Sequence, residues 1–303
     1  MTRSKAAWLS EHLACTVCHT SPLVSGETGW RCPVCEADFP LQDHCPNFIT
    51  DRMAFDFNIK ENAKASDHAY NPSAVRLLAE VERVGGMALD CGAGSRQYTS
   101  EHLVQVEIMP YDSVDVLAVN QALPFRDASF DVVFSFDVLE HVSDPFASAR
   151  ELARVLKPNG MLYIDLPFLQ VEHGYPHHYF NATRMGLRQL FEGLLTPRAH
   201  VVPASGHPAH VVYQALSAYR GGLAPELRER FLAMTVGEIL DRSWKALRDS
   251  DLGAVKDEVQ WRMASATQAI FTKDTEAPEG TSSEIDVDWR TLPNFVGKRS
   301  FTP

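Results

Sequence analysis

The chain is short of positive charge: its 303 residues carry 28 Lys and Arg against 39 Asp and Glu, a formal net charge of −11. Proteins that run along phosphate backbones carry the opposite balance, so nucleic acid is not the expected partner, although a local basic patch would escape this count. No stretch approaches the ~20 consecutive apolar residues that cross a bilayer. Met1 to Trp8 lacks the apolar core of a secretory leader, so the expectation is a soluble, cytoplasmic protein with no membrane insertion. Internal repeats and low-complexity tracts are both absent. What remains is an ordinary globular balance, 45% hydrophobic and 22% charged, in a chain long enough for one large α/β domain and a small appendage.

Cysteine is scarce, and its placement is informative. Four of the six cysteines form two Cys-x-x-Cys pairs, Cys15/Cys18 and Cys32/Cys35, separated by thirteen residues. Without export signals this spacing favours a tetrahedral Zn2+ held by four thiolates; two disulfides or unligated thiols are the alternative. Four protein ligands close such a site, which makes it structural. Residues 1–50 therefore read as a zinc ribbon, too small to bury much core, in which metal supplies folding energy. Its three basic residues, Arg3, Lys5 and Arg31, face five acidic ones, Glu11, Glu27, Glu36, Asp38 and Asp43, which argues against an RNA-docking ribbon. Cys91 reads as a small buried side chain.

A polar connector, 51–71, follows. Pro72 opens a helix that ends at Gly85-Gly86, and strands then alternate with helices. Strands are predicted at 87–91, 104–108, 131–136 and 161–166, with a short extended stretch at 115–118 and a very short helix after Gly94. Asp144-Pro145 starts a helix with an apolar face of Phe146, Ala149, Leu152, Ala153 and Leu156, and Lys157-Pro158-Asn159-Gly160 stops it. A helix at 183–191, a strand at 195–202, a mostly helical segment at 207–249 and a last strand at 264–271 complete the domain, 72–273. Residues 274–303 read as a mobile acidic tail. The alternation predicts a Rossmann-like, doubly wound, mostly parallel seven-stranded sheet with the ribbon appended.

Within that frame, Met87-Ala88-Leu89-Asp90-Cys91-Gly92-Ala93-Gly94 is an apolar run ending in Asp and then Gly-x-Gly. It reads as a buried strand turning beneath a nucleotide-like ligand, with glycines that let the backbone approach closely. The next strand ends in Glu107, whose carboxylate suits a ribose diol through two charge-assisted hydrogen bonds.

These motifs, followed by Leu123-Pro124-Phe125, Phe130-Asp131-Val132-Val133, Val138-Leu139-Glu140-His141-Val142 and Leu156-Lys157-Pro158-Asn159-Gly160, resemble the ordered motifs of class I S-adenosylmethionine-dependent methyltransferases. The ribbon separately resembles the small domain of an activator of RNA and protein methyltransferases, and one that precedes certain ribosomal-RNA guanine methyltransferases. The resemblance implies S-adenosyl-L-methionine as cofactor, with Asp90, Gly92 and Gly94 around its methionine part and Glu107 on the ribose. Two departures stand out. Val119 occupies the place of the usual adenine-binding Asp, which leaves Asn120 to supply that bond, and Arg96 replaces the third glycine.

Candidates for chemistry lie at the sheet's carboxyl edge. Asp137 ends a strand there and suits a substrate pocket. His141 reads either as a structural element beside the cofactor or as a catalytic group. The segment His173-Gly174-Tyr175-Pro176-His177-His178-Tyr179-Phe180 should overhang the mouth. His177, His178 and Tyr179 are candidates for a general base; the alternative is an aromatic lid without chemistry. A second metal site there lacks a carboxylate or thiolate cluster to support it. The lid also resembles methyltransferases of surface-sugar and natural-product pathways, so the expected acceptor is a small molecule or glycan, methylated at O or N. Methylation of RNA or protein with the ribbon as docking element, and a non-catalytic scaffold, are the competing readings.

Overall fold

The computed structural model describes residues 4–57, 59, 66–171, 173, 177–222 and 266–272, together with positions 229, 235, 245, 246 and 249. The N-terminal unit begins with a helix absent from the sequence reading, α1 (Lys5–His12), capped by the Ser4 side chain, which accepts from the Ala7 amide. Four short antiparallel strands follow in the order β1 (Val24–Gly26), β2 (Gly29–Arg31), β3 (Asp38–Gln42) and β4 (Cys45–Pro46). The stretch expected to be a polar connector contains a helix, α2 (Asp51–Asp56), because Thr50 supplies an N-cap to the Met53 amide.

The ribbon does not rely on its own interior alone. Trp8 stacks on His12 at 3.9 Å and packs on Phe130 at 5.0 Å between ring centroids. Leu13 pairs with Phe125, and the Phe48 amide donates to the Leu117 carbonyl at 2.9 Å. Trp8, Leu13, Phe39 and Phe48 thus belong to the same buried cluster as Leu123, Phe125 and Phe130.

The larger part opens with α3 (Pro72–Val84), which is capped by Asn71 and stopped at Gly85, where φ is +69°. The main sheet comprises β5 (Ala88–Cys91), β6 (Leu103–Glu107), β7 (Val116–Leu117), β8 (Phe130–Phe136), β9 (Leu156–Pro167), β10 (Thr196–Val201) and β11 (Ala266–Thr272). Their order is β10-β11-β9-β8-β5-β6-β7, parallel except where β11 runs antiparallel between β9 and β10. The seven-stranded, mostly parallel sheet is as expected. Strand order reverses at β5, so the ends of β5 and β8 flank the crevice where such sheets bind ligands.

Three details differ from the sequence reading. No helix forms after Gly94: the Ser95 amide bonds to the Ser66 carbonyl, and Arg96 turns back onto three backbone carbonyls, which removes the i to i−4 pattern. Phe146, assigned to the apolar face of α4 (Pro145–Val155), is 46% exposed, and Ala149, Leu152 and Ala153 do the packing. Lys157 to Gly160 do not precede β9 but bulge out of it, since β8 pairs at Phe130↔Leu156 and resumes at Val132↔Met161. The helices α5 (Arg184–Leu190) and α6 (Pro208–Gly222) fall where helices were expected. Most of 223–249 and the tail after 273 lie outside the described residues.

β10 turns His200 inward, where it is 2% exposed. Burial, reinforced by Arg184 and Arg188, pulls its imidazole down to about 3 from 6.5. The unfolded chain takes up this proton below pH 6.5 and the folded chain does not, so the associated stability is complete above pH 6.5 and is lost as pH falls toward 3. Unfolding free energy should fall by about 1.4 kcal/mol per pH unit across that window. His200→Leu should remove this slope in urea titrations; an unaltered slope would place the acid lability elsewhere.

Candidate functional site

The turn after β5 is packed closely against Val138 and Ser66. Gly92 and Gly94 adopt φ of +81° and +64°. A Cβ at Gly92 would lie 2.4 Å from Val138, and one at Gly94 would lie 2.2 Å from the Ser66 carbonyl oxygen. The glycines therefore also admit the protein's own Val138 and Ser66, a need for small residues that the sequence alone did not reveal.

Asp90, one residue before the end of β5, is fully buried. Its Oδ2 accepts from the Tyr70 hydroxyl at 2.5 Å and from the Arg96 guanidinium at 3.1 Å. Burial raises its carboxyl above the usual range, while Arg96 and Tyr70 pull it back. Arg96 also donates to the carbonyls of His68, Gly92 and Ala93, and its guanidinium stands 5.2 Å from the Tyr70 ring centroid. The residue that replaced the expected glycine is thus the clamp of the turn. Asp90 Oδ1 has no hydrogen-bond partner.

Glu107 ends β6 one strand away. It accepts from the Gly94 amide at 3.3 Å and from the Ile108 amide, and burial raises its carboxyl. Beyond β7, Asn120 is 6% exposed with its side-chain nitrogen unpartnered. Asp137 follows β8 at φ +54°. It is exposed to solvent, yet the surrounding protein raises its carboxyl.

The lid is stitched to the turn that follows. The Tyr179 amide donates to the Glu140 carbonyl at 2.6 Å, and the His177 carbonyl accepts from His141 Nδ1 at 2.6 Å. His178 Nδ1 accepts from the His173 amide, which leaves Nε2 to donate to Asn181 Oδ1 at 2.8 Å. Both His178 nitrogens are therefore engaged, which suits a positioning part better than a base. The His177 ring lies 5.1 Å from that of Tyr179, which is 47% exposed. Sequence reasoning passed over Glu140 and took His173 only as one of the histidines of the lid. Glu140 is fully buried beside His141, and burial pushes its carboxyl up to about 7. The available signal was a carboxylate adjoining a histidine at the edge of a strand.

In the ribbon, the four sulfurs of Cys15, Cys18, Cys32 and Cys35 all lie within 4.8 Å of one another. Cys15 to Cys35 and Cys18 to Cys32 are each 3.5 Å, far beyond a disulfide bond. The Val17 amide points at Cys15 and the Val34 amide at Cys32, closing the two knuckles. The set fits one tetrahedral ion.

Residues 74–164 match the family model described as a methyltransferase domain. This segment, under a third of the chain, is similar to methyltransferase domains. A Mycobacterium tuberculosis protein named "probable S-adenosylmethionine-dependent methyltransferase" is 47% identical over 58 residues, 19% of this chain and 21% of its own length. The ubiquinone biosynthesis O-methyltransferase of Xanthomonas axonopodis is 32% identical over 126 residues, 32% of this chain and 50% of its own. The chain thus spans between about a fifth and a half of these relatives. Phosphoethanolamine N-methyltransferase 2 of Haemonchus contortus, solved with S-adenosyl-L-methionine, aligns over 66% of this chain and 53% of its own at 16% identity. Its TM-score of 0.37 adds nothing to the topology above. Among the described residues, no helix is long and apolar enough to cross a membrane.

Proposed function

We propose that this protein transfers a methyl group from S-adenosyl-L-methionine to an oxygen or nitrogen of a small molecule or glycan. One observation carries the reading. Two buried polar atoms without partners, Asp90 Oδ1 and Asn120 Nδ2, flank the Glu107 carboxylate along the carboxyl edge of β5, β6 and β7. An acceptor, a carboxylate and a donor in that order suit an ammonium, a ribose diol and an adenine ring nitrogen. Left empty, each orphan costs roughly 1–3 kcal/mol, so a polar ligand is the economical explanation.

The cofactor supplies a methyl group already activated on a sulfonium. Alignment and exclusion of water are then the protein's main tasks. Asp90 orients the amino acid end, Glu107 holds the ribose, and Asn120 meets the base. Asp137, accessible at the cleft, orients the acceptor and takes up its proton. The lid, tied to Glu140 and His141, covers the mouth. The acceptor class rests on the acidic balance of the chain and on the composition of the lid. In the ribbon, the proposed ion is Zn2+, by the thiolate set and its geometry.

Calorimetric titration tests the cofactor assignment. Wild-type protein should bind S-adenosyl-L-methionine, and Glu107→Ala should bind it about 5- to 150-fold more weakly, the loss of charged hydrogen bonds worth roughly 1–3 kcal/mol. Unchanged affinity in the variant would remove the ribose assignment. Absence of binding by the wild type at millimolar ligand would remove the whole reading.

A further inference from the structure

We propose that Glu140, His141 and His173 form a second metal site, for a divalent transition-metal ion, at the mouth of the cofactor cleft. Glu140 Oε1 lies 3.7 Å from His141 Nε2 and 3.8 Å from His173 Nε2, and the three donor atoms all fall within 4.8 Å of one another. These separations are too long for hydrogen bonds. They suit donors around a common ion, where bonds of about 2.1 Å put tetrahedral neighbours about 3.4 Å apart.

The carboxylate is otherwise unexplained. Glu140 is fully buried, and among the described residues neither of its oxygens has a hydrogen-bond partner. The charged groups acting on it are His173 and Asp137, the second of the same sign as itself. Among the described residues the charged and titratable groups facing it are thus imidazoles and a like-signed carboxylate, a set that a shared divalent ion would hold together.

Both imidazoles are prepared as ligands. His141 Nδ1 donates to the His177 carbonyl at 2.6 Å, and His173 Nδ1 donates to the Val171 carbonyl at 3.0 Å. Each bond fixes the proton on Nδ1 and leaves the lone pair on Nε2, the nitrogen that faces Glu140. Metal-binding histidines are oriented by this kind of outer bond. His178, whose ring is 4.5 Å from that of His173, holds the His173 amide and so positions the third ligand.

Two histidines and one carboxylate leave coordination positions open, unlike the closed four-thiolate set in the ribbon. Resting on the methyltransferase reading, the open positions take an acceptor hydroxyl. Its O–H bond breaks with the electron pair kept on the metal-bound oxygen, the proton passes to Asp137 or water, and that oxygen attacks the methyl carbon as the carbon–sulfur bond breaks. The site would select oxygen acceptors able to reach an ion bridging the lid and the edge of β8.

The test is metal stoichiometry on the full chain after loading with Zn2+ or Co2+ and dialysis. Wild-type protein should retain two ions, and Glu140→Gln and His173→Ala should each retain one. Cobalt in the lost site should show nitrogen–oxygen ligand-field bands without thiolate charge transfer. One ion in all three proteins, with thiolate bands only, overturns the proposal and leaves the cluster as a hydrogen-bonded lid latch. Cofactor titration is read separately: two ions without cofactor binding would retain the metal site and remove the methyltransferase reading, whereas one ion with normal binding would do the reverse.

Discussion

Replacing Cys15 with Ser should unfold far more than the ribbon. A four-thiolate zinc unit draws most of its folding free energy from the ion, on the order of 10 kcal/mol in isolated fingers, and loss of one ligand forfeits a large share. Cys15 is 1% exposed and sits in the cluster that also contains Leu123, Phe125 and Phe130 of the methyltransferase domain. When the ribbon loosens, Trp8 and Leu13 leave that cluster and expose its far side. Burial of two such side chains is worth roughly 3–6 kcal/mol. At about 2–4 °C per kcal/mol for domains of this order of size, the main thermal transition should drop by 10 °C or more. Chelation of the wild type should give the same shift. Two separate transitions, with the upper one unmoved by chelator, would show that the ribbon folds and fails by itself.

The second large effect is expected at Arg96. Its guanidinium is 6% exposed and is the cation paired with the fully buried Asp90, and it also satisfies three carbonyls of the turn. Arg96→Met keeps much of the volume and removes all of this. Breaking a buried pair from one side costs about 3–5 kcal/mol, because the remaining charge has no compensation. Cofactor affinity should fall with it, since the unclamped turn carries Gly92, Gly94 and Asp90. Asp90 already has a raised carboxyl in the folded protein, and loss of Arg96 raises it further. The folded state then binds the proton more readily than the unfolded chain, so the deficit of the variant should shrink as pH falls. Asp90→Asn combined with Arg96→Met should recover part of the loss, because the stranded charge is gone. Strict additivity of the two substitutions would deny that the residues act as a pair.

Much of this was legible in the residues, for identifiable reasons. The buried strands announce themselves because runs such as Asp131 to Phe136 have nowhere to go but a sheet covered on both faces. Asn71, Asp144 and Thr183 mark helix starts because their side chains bond to amides two or three residues on. The Cys-x-x-Cys spacing states its ligand set locally. What escaped depends on distance along the chain. Arg96 reads as a missing glycine until His68 and Tyr70 fold across the turn and give it a carbonyl and an aromatic face. Glu140 looks like an ordinary surface acid because nothing near it in sequence announces its burial. His173 meets it only after the lid folds back over thirty residues.

The pairing of Asn47 with Leu117, and of the Phe48 amide with the Leu117 carbonyl, has a consequence for solubility. β7 is the outermost strand on its side of the sheet, and it is only two residues long. Uncovered, its free backbone donors and acceptors would be a template for a strand from another molecule. The ribbon occupies that template first. A chain trimmed to begin at Pro72 would keep the methyltransferase motifs but present a raw sheet edge, would also uncover Phe125 and Phe130, and would self-associate edge to edge.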